Sequence, residues 1–185
     1  DVTNREAVTA MVAACVAAFG SLDCAVNNAG TTGTGGFTAD YDVEDWHRTI
    51  TLNLDSVFYC LRAEIPVMLA QGSGHVVQVT TSLVDHASSD VTSVLASLTK
   101  GGLQSATKAL AIEYAGRGIR SNAVALGIVK TPMHPEAYHE TLAAMHPLGR
   151  MGEVDDVAEA VIYLEGATFV TGEILHVDGG QSAGR

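Results

Sequence analysis

Two polar side chains stand on predicted helices whose neighbouring positions are apolar or small. Asn53 lies three residues after Ile50 and four residues before Val57, on the apolar stripe of its helix, where an unpaired amide is costly to bury. Lys100 is followed by two glycines, which leave room for another group to approach its ammonium. Asn53 is therefore interpreted either as a hydrogen-bonded core amide or as a site residue, and Lys100 either as a solvated surface lysine or as a site cation.

Polar or glycine-rich segments follow three of the predicted strands. These segments contain Asn28, Ala29 and Gly30, then Thr80, Thr81 and Ser82, and finally residues 127–131. In parallel α/β sheets, ligands bind beyond the carboxyl ends of the strands. Each segment alone is an ordinary loop, but together they predict one ligand site at that edge of the sheet.

The elements that must position these residues alternate between helices and strands. Apolar residues at helical spacing predict helices over residues 3–19, 42–70, 94–114, 138–145 and 154–164. Short apolar runs predict strands over residues 22–27, 75–80, 119–126 and 173–177. Thr3 and Glu6 predict a capping box at the start of the first helix, and Gly20 predicts its end. Pro66 predicts a kink or an early end of the second helix.

This alternation predicts a doubly wound α/β fold, in which a parallel sheet has helices on both faces and right-handed crossovers. No repeat, low-complexity tract or linker interrupts the sequence, so residues 1–185 are interpreted as a single domain. The strand at residues 22–27 would still have an open edge, whereas such folds carry a βαβαβ unit of about 60 residues before their ligand crevice. We therefore expect an N-terminally incomplete Rossmann-type domain, with the later part present and the first βαβαβ unit absent.

The composition argues against several classes of protein. The formal net charge of −11 opposes a nucleic-acid surface, which needs clustered lysine and arginine. Neither a secretory signal pattern nor an apolar run of about 18 to 20 residues is present, which predicts a soluble, cytoplasmic protein without membrane contact. The three cysteines lie far apart and the histidines are dispersed, which predicts neither a disulfide nor a metal site.

Taken in order, the motifs of the chain resemble those of the short-chain dehydrogenases/reductases. No single motif is specific, but their order is, and the resemblance covers essentially the whole chain. The matching segments are Asp1-Val2-Thr3, Asn27-Asn28-Ala29-Gly30, Asn53, Thr80-Thr81-Ser82, Lys100, and residues 119–124, 127–133 and 177–180.

The resemblance implies an oxidoreductase that uses NAD or NADP and transfers hydride between the cofactor and a small-molecule alcohol or ketone. It also implies a homodimer or homotetramer formed through the two long helices. By position, the adenine would contact Asp1 and Val2, the adenine ribose would contact Asn28, Ala29 and Gly30, and the nicotinamide carboxamide would contact Ile128 and Thr131.

The same resemblance implies four catalytic positions. Lys100 would bind the nicotinamide ribose and lower the pKa of a neighbouring acid by its charge. A hydroxyl at Thr81 or Ser82 would bind the substrate oxygen, and Asn53 would hold a water that relays protons. The spacing to residue 96 suits Ser82 better, whereas the register of the strand points to Thr81.

The sequence departs from the family pattern in three features. The glycine-rich loop that would bind the pyrophosphate is absent, and Leu126 replaces a proline, which loosens the following turn. Ala96, four residues before Lys100, stands where the family has a tyrosine as general acid, and losing a general acid typically lowers the rate about 10² to 10⁴-fold. The candidate substitutes are a hydroxyl of Thr81 or Ser82, a water held by Lys100, Asp85 and His86.

Two other functions stay open beside the enzyme. Ala96 favours a non-catalytic or degenerate family member that acts as a binding or assembly subunit, or an inactive fragment. Asn53, Lys100 and Thr131 favour the enzyme, because an idle site has no physical need for a lysine and a buried amide at those positions. A different doubly wound binding domain, without nicotinamide chemistry, would not explain the order of the motifs.

Overall fold

The core of the protein is a parallel β-sheet. The computed structural model describes residues 1–88 and 91–184, and within them the sheet has four strands in the order β1-β2-β3-β4. Each neighbouring pair is parallel, as predicted. The strands are β1 (Cys24–Asn27), β2 (Gly74–Thr81), β3 (Ile119–Leu126) and β4 (Ile174–Val177).

Helices make the crossovers that parallel strands require. The helices of the same described ranges are α1 (Arg5–Phe19), α2 (Val43–Ile50), α3 (Ser56–Gln71), α4 (Val94–Tyr114), α5 (His139–Ala143) and α6 (Val154–Gly166). α1 precedes β1, and the other five lie in the crossovers. None of these helices is long and apolar enough to cross a membrane.

Both faces of the sheet are covered by helices. Val76 of β2 packs with Ile65 and Met68 of α3 on one face. The next residue, Val77, points to the other face and packs with Leu164 of α6, because successive side chains of a strand alternate between faces. This arrangement confirms the doubly wound α/β fold.

The predicted helix over residues 42–70 is present, with one turn of wider geometry inside it. It consists of α2 and α3, separated by one π-helical turn at Thr51–Asp55. Such wide turns inside helices occur frequently at functional sites, and this one contains the buried Asn53. Pro66 does not end the helix early, because α3 continues to Gln71 and is capped by Gly72 in the left-handed conformation.

Smaller differences concern the ends of α1 and β1. The N-cap of α1 is Asn4, whose side chain accepts a hydrogen bond from Ala7 N, so the predicted capping box is wrong. The predicted end at Gly20 is confirmed by its φ of 85°. β1 begins at Cys24 and not at Leu22, because the backbone N–H and C=O of Leu22 are bound by the Gln71 side chain.

A truncation of Met68 tests the packing of this core. Met68 is fully buried against the sheet, so Met68→Ala removes buried apolar contacts and leaves a cavity. We expect a loss of about 2–5 kcal/mol in the free energy of unfolding, measured by chemical denaturation. Met11→Ala is the control, since Met11 is 51% exposed, and an equal loss in both variants would contradict this packing.

Candidate active site

Asn53 joins three parts of the chain. Its side-chain oxygen accepts a hydrogen bond from Thr31 N at 2.9 Å, and its amide nitrogen donates to Thr31 O at 2.8 Å and to Thr99 Oγ1 at 3.0 Å. The residue is completely buried, so these bonds satisfy an amide that would otherwise be costly to bury. The loop after β1 is thereby fixed to the π-helical turn and to α4.

Lys100 lies beside this junction. Its Nζ donates to Val79 O at 2.9 Å, and a methyl group at Gly30 would lie 2.8 Å from Nζ and 3.2 Å from Asn53 Oδ1. A glycine is therefore needed at position 30, because the backbone approaches both side chains closely. The structure thus brings together three of the predicted site residues: Gly30, Asn53 and Lys100.

The electrostatic state of Lys100 follows from its burial. Burial lowers the pKa of Lys100 to about 8, because a low-dielectric surrounding disfavours the charged ammonium. Within the described part of the chain, no carboxylate forms an ion pair with it to oppose this effect. Lys100 is therefore a stronger acid than an ordinary lysine and keeps donor capacity for a ligand.

The two candidate hydroxyls after β2 differ in their surroundings. Ser82 is buried and donates to Gln181 Oε1 at 2.9 Å, so its hydroxyl is engaged by the C-terminal segment. Thr81 is half-buried at the strand end, 3.4 Å from Leu126 O, and accepts from Leu83 N. Both hydroxyls therefore have hydrogen-bond partners within the protein, and Thr81 is the more exposed of the two. The choice between Thr81 and Ser82 stays a prediction.

The remaining candidate acids are Asp85 and His86, which would replace the phenol missing at Ala96, a buried residue one turn before Lys100. Asp85 Oδ2 lies 3.0 Å from His176 Nε2 and accepts a long hydrogen bond from Gln104 at 3.4 Å, which directs its carboxylate towards β4. His86 is half-buried, and its backbone N–H donates to Ser82 O. Of these two side chains, Asp85 is already engaged by neighbours.

The loop after β3 holds two predicted cofactor residues, Ile128 and Thr131, both half-buried. Ile128 N donates to His146 Nε2 at 2.9 Å, and Ile128 O accepts from Gly152 N at 2.9 Å. Gly127 N donates to Val177 O at 3.1 Å. The path of the turn is therefore maintained by hydrogen bonds even though Leu126 replaces the family's proline.

The residues predicted for the adenine side also lie together. Val2, Asn28 and Ala29 line a cavity of about 300 Å³ between α1, β1 and α3. The Asp1 carboxylate binds Thr3 N at 2.9 Å and Thr3 Oγ1 at 2.8 Å, which orders the turn before Val2. The structure therefore brings Val2, Asn28 and Ala29 together at one cavity, and their contact with an adenine stays a prediction.

The same cavity contains an acid that the sequence reasoning missed. Glu64 is 3% exposed, accepts from Asn27 Nδ2 at 3.2 Å, and burial raises its pKa to about 7. Its position four residues after Cys60 and four before Met68 was the available signal, because this spacing places it on the buried stripe of α3.

A second polar cluster lies at the opposite ends of the strands. The side-chain ligand atoms of Cys24, His75 and Glu165 all lie within 4.8 Å of one another. Burial and the nearby Glu165 carboxylate raise the pKa of Cys24 to about 12, and burial lowers the pKa of His75. Arg120 lies 3.5 Å from the same carboxylate, which opposes binding of a cation.

The tautomer of His75 also disfavours a metal in this cluster. Asn122 donates through Nδ2 to Val170 O and accepts through Oδ1 from Glu173 N, so its amide orientation is fixed. His75 Nε2, 3.0 Å from Asn122 Nδ2, must therefore accept, and His75 Nδ1 carries the proton that is donated to Glu165. The absence of a metal site stays a prediction.

Comparisons with known proteins show the family to which the chain is similar. The family described as Enoyl-(Acyl carrier protein) reductase matches residues 1–182. Cyclohexanol dehydrogenase from Acinetobacter sp. (strain SE19) is 38% identical over 176 residues, covering 94% of this chain and 69% of that protein. Cis-4-hydroxycyclohexanecarboxylate dehydrogenase from Sinomonas cyclohexanicum is 39% identical over 188 residues, covering 99% of this chain and 75% of that protein.

A solved structure of ElxO with NADP bound has a TM-score of 0.91 and 30% identity, covering 100% of this chain and 77% of that chain. Fold, site and similarity together define an NAD(P)-dependent oxidoreductase that acts on alcohol and ketone groups. The chain belongs to the short-chain dehydrogenase/reductase family, as its motifs predicted.

The raised pKa of Glu64 makes the stability of the fold depend on pH. Between pH 4.5 and about 7, the unfolded state releases a proton that the folded state keeps, so the free energy of unfolding falls as pH rises. Glu64→Gln removes this pH-dependent decrease in the free energy of unfolding. At pH 8 we expect the variant to be more stable than the parent chain by at most about 3 kcal/mol. At pH 4 we expect the two free energies of unfolding to be nearly equal.

Chemical denaturation at several pH values measures this difference. Glu159→Gln is the matched control, because Glu159 lies exposed on α6. A constant difference between parent and Glu64→Gln from pH 4 to pH 8 would contradict the raised pKa.

Proposed function

We propose that this chain interconverts a ketone and its secondary alcohol, with Lys100 as both the cofactor-binding cation and the proton donor. The observation that carries the proposal is a half-buried lysine with a pKa lowered to about 8, held against Val79 O beside Gly30 and Asn53. NAD(P)H, when bound, supplies the hydride that the carbonyl carbon accepts. Lys100 gives its proton to the carbonyl oxygen, directly or through one water, which completes the alcohol.

The other proposed roles rest on the resemblance to the family. Thr81 binds the substrate oxygen through its hydroxyl, with Ser82 as the alternative, and Asn53 holds the loop at Thr31 and a proton-relay water. The residues proposed to bind the cofactor, NAD or NADP, are Asp1, Val2, Asn28, Ala29, Gly30, Lys100, Ile128 and Thr131. The backbone at Gly30 approaches Lys100 closely, and the Lys100 ammonium has no carboxylate partner among the described residues. Both features fit a hydroxylated ligand such as the nicotinamide ribose.

Similar proteins support one class of substrate. Cyclohexanol dehydrogenase and cis-4-hydroxycyclohexanecarboxylate dehydrogenase are named for secondary alcohols on a saturated six-membered ring. We propose that this chain also acts on alicyclic secondary alcohols and the corresponding ketones. Cyclohexanone is therefore a suitable first substrate.

The assembly is also a proposal. The chain is proposed to be a single cytoplasmic domain that forms a homodimer or homotetramer through α3 and α4. Phe58 on α3 and Ile112 on α4 support this proposal, because they are 58% and 86% exposed, and large exposed apolar side chains favour association.

Substitutions on α4 test the proposed proton donor. Ala96→Tyr supplies the missing phenol one turn before Lys100, and we expect the rate of NADH-dependent cyclohexanone reduction to rise about 10²-fold or more. Lys100→Met removes the donor and lowers the rate by at least a similar factor. Lys108→Met is the matched control, because Lys108 lies exposed on the same helix.

The pH profile separates Lys100 from other donors. Since the donor is the protonated amine, ketone reduction should fall as pH rises through about 8, and alcohol oxidation should rise over the same range. Full turnover by Lys100→Met would contradict this role. If neither the parent chain nor Ala96→Tyr binds NADH or NADPH or turns over with either, the assembly-subunit function takes its place.

A further inference from the structure

His146 lies between the proposed cofactor loop and the segment that precedes α6. It is 3% exposed, and its Nδ1 lies 3.0 Å from Leu142 O. Because a carbonyl oxygen only accepts hydrogen bonds, Nδ1 carries a proton, and Nε2 is left with the lone pair that accepts from Ile128 N at 2.9 Å. The two hydrogen bonds therefore require a neutral imidazole in a single tautomer.

Two glycines make room for this ring. A methyl group at Gly127 would lie 2.8 Å from His146 Nε2 and 2.8 Å from the Cα of Asp178. A methyl group at Gly179 would lie 3.2 Å from His146 Cβ. The ring is thus clamped between the loop after β3 and the turn after β4, so its position is set by backbone on two sides.

The polar backbone groups of the loop have different kinds of partner. Gly127 N donates to Val177 O and Ile128 O accepts from Gly152 N, so both use backbone partners. Ile128 N instead donates to the side chain of His146. The direction of the peptide between Gly127 and Ile128 therefore depends on one side chain.

We infer that His146 is a positioning residue for the nicotinamide end of the cofactor site. The inference rests on the proposed function, in which Ile128 contacts the nicotinamide carboxamide. His146 fixes the Ile128 peptide and, through Leu142 O, connects it to the end of α5. A change in the position of α5 therefore alters the loop that holds the carboxamide.

Two variants of similar size separate the hydrogen bond from packing. His146→Phe keeps an aromatic ring between the glycines but cannot accept from Ile128 N, whereas His146→Gln keeps an acceptor. We expect hydrogen exchange of the Ile128 amide, followed by NMR, to be at least tenfold faster in His146→Phe, with partial recovery in His146→Gln. Unchanged exchange in His146→Phe would overturn the inference.

Ligand titrations test the link to the cofactor. NADH contains the nicotinamide, whereas ADP-ribose lacks it and serves as the control ligand. We expect His146→Phe to weaken NADH binding about tenfold, which corresponds to about 1.4 kcal/mol, and to leave ADP-ribose binding unchanged. Equal weakening of both ligands, or of neither, would overturn the inference.

The parent chain provides a test that needs no variant. Nitrogen-15 NMR of the histidine rings distinguishes the two neutral tautomers, and we expect the proton of His146 on Nδ1. A proton on Nε2 would overturn the inference even if His146→Phe fails to fold. If the parent chain binds neither NADH nor NADPH, the proposed function fails, while the tautomer and the Ile128 exchange still decide whether His146 holds this peptide.

Discussion

The hydrogen bonds of Asn53 are the constraint on which the candidate site depends. A primary amide in a fully buried position must find partners for both its oxygen and its NH₂ group, and Asn53 finds them on Thr31 and Thr99. The wide turn at Thr51–Asp55 places the amide between the loop after β1 and α4. Because Thr99 directly precedes Lys100, the same hydrogen bonds also fix the position of Lys100 along the axis of α4. Gly30 then approaches both side chains, and the loop cannot move away without leaving the amide unpaired.

The electrostatics of the site follow from this geometry. A lysine held among backbone groups, without a carboxylate, carries its charge at a cost, and its pKa falls to about 8. In a site with a tyrosine one turn earlier, such a lysine acts on the phenol. Here Ala96 is buried and has no ionisable group, so of these two positions only the Lys100 ammonium carries an acidic proton. In the proposed mechanism, the proton-donor role therefore falls to Lys100.

Residues close in sequence were predicted more accurately than those that meet across the fold. The strands β2 and β3 and the left-handed conformation of Gly20 depend on local sequence patterns. The parallel arrangement of the strands follows from the crossover helices. The interruption near Asn53 depends on Thr31, 22 residues away, and the burial of the Ser82 hydroxyl depends on Gln181, 99 residues away. Neither partner is indicated by periodicity or by a capping motif. His146 was missed for the same reason, since its imidazole pairs with Ile128, 18 residues away. Glu64 was missed although its spacing on α3 indicated a buried position.

The most direct test of this account is the titration of Lys100 by carbon-13 NMR of its Cε, first in the chain alone and then with reduced nicotinamide mononucleotide. The account predicts a midpoint at about pH 8 in the chain alone, and a change in the Lys100 signal when the mononucleotide binds. A midpoint at the ordinary lysine value of 10.5, with no response to the mononucleotide, would contradict a half-buried, uncompensated lysine at the centre of the site.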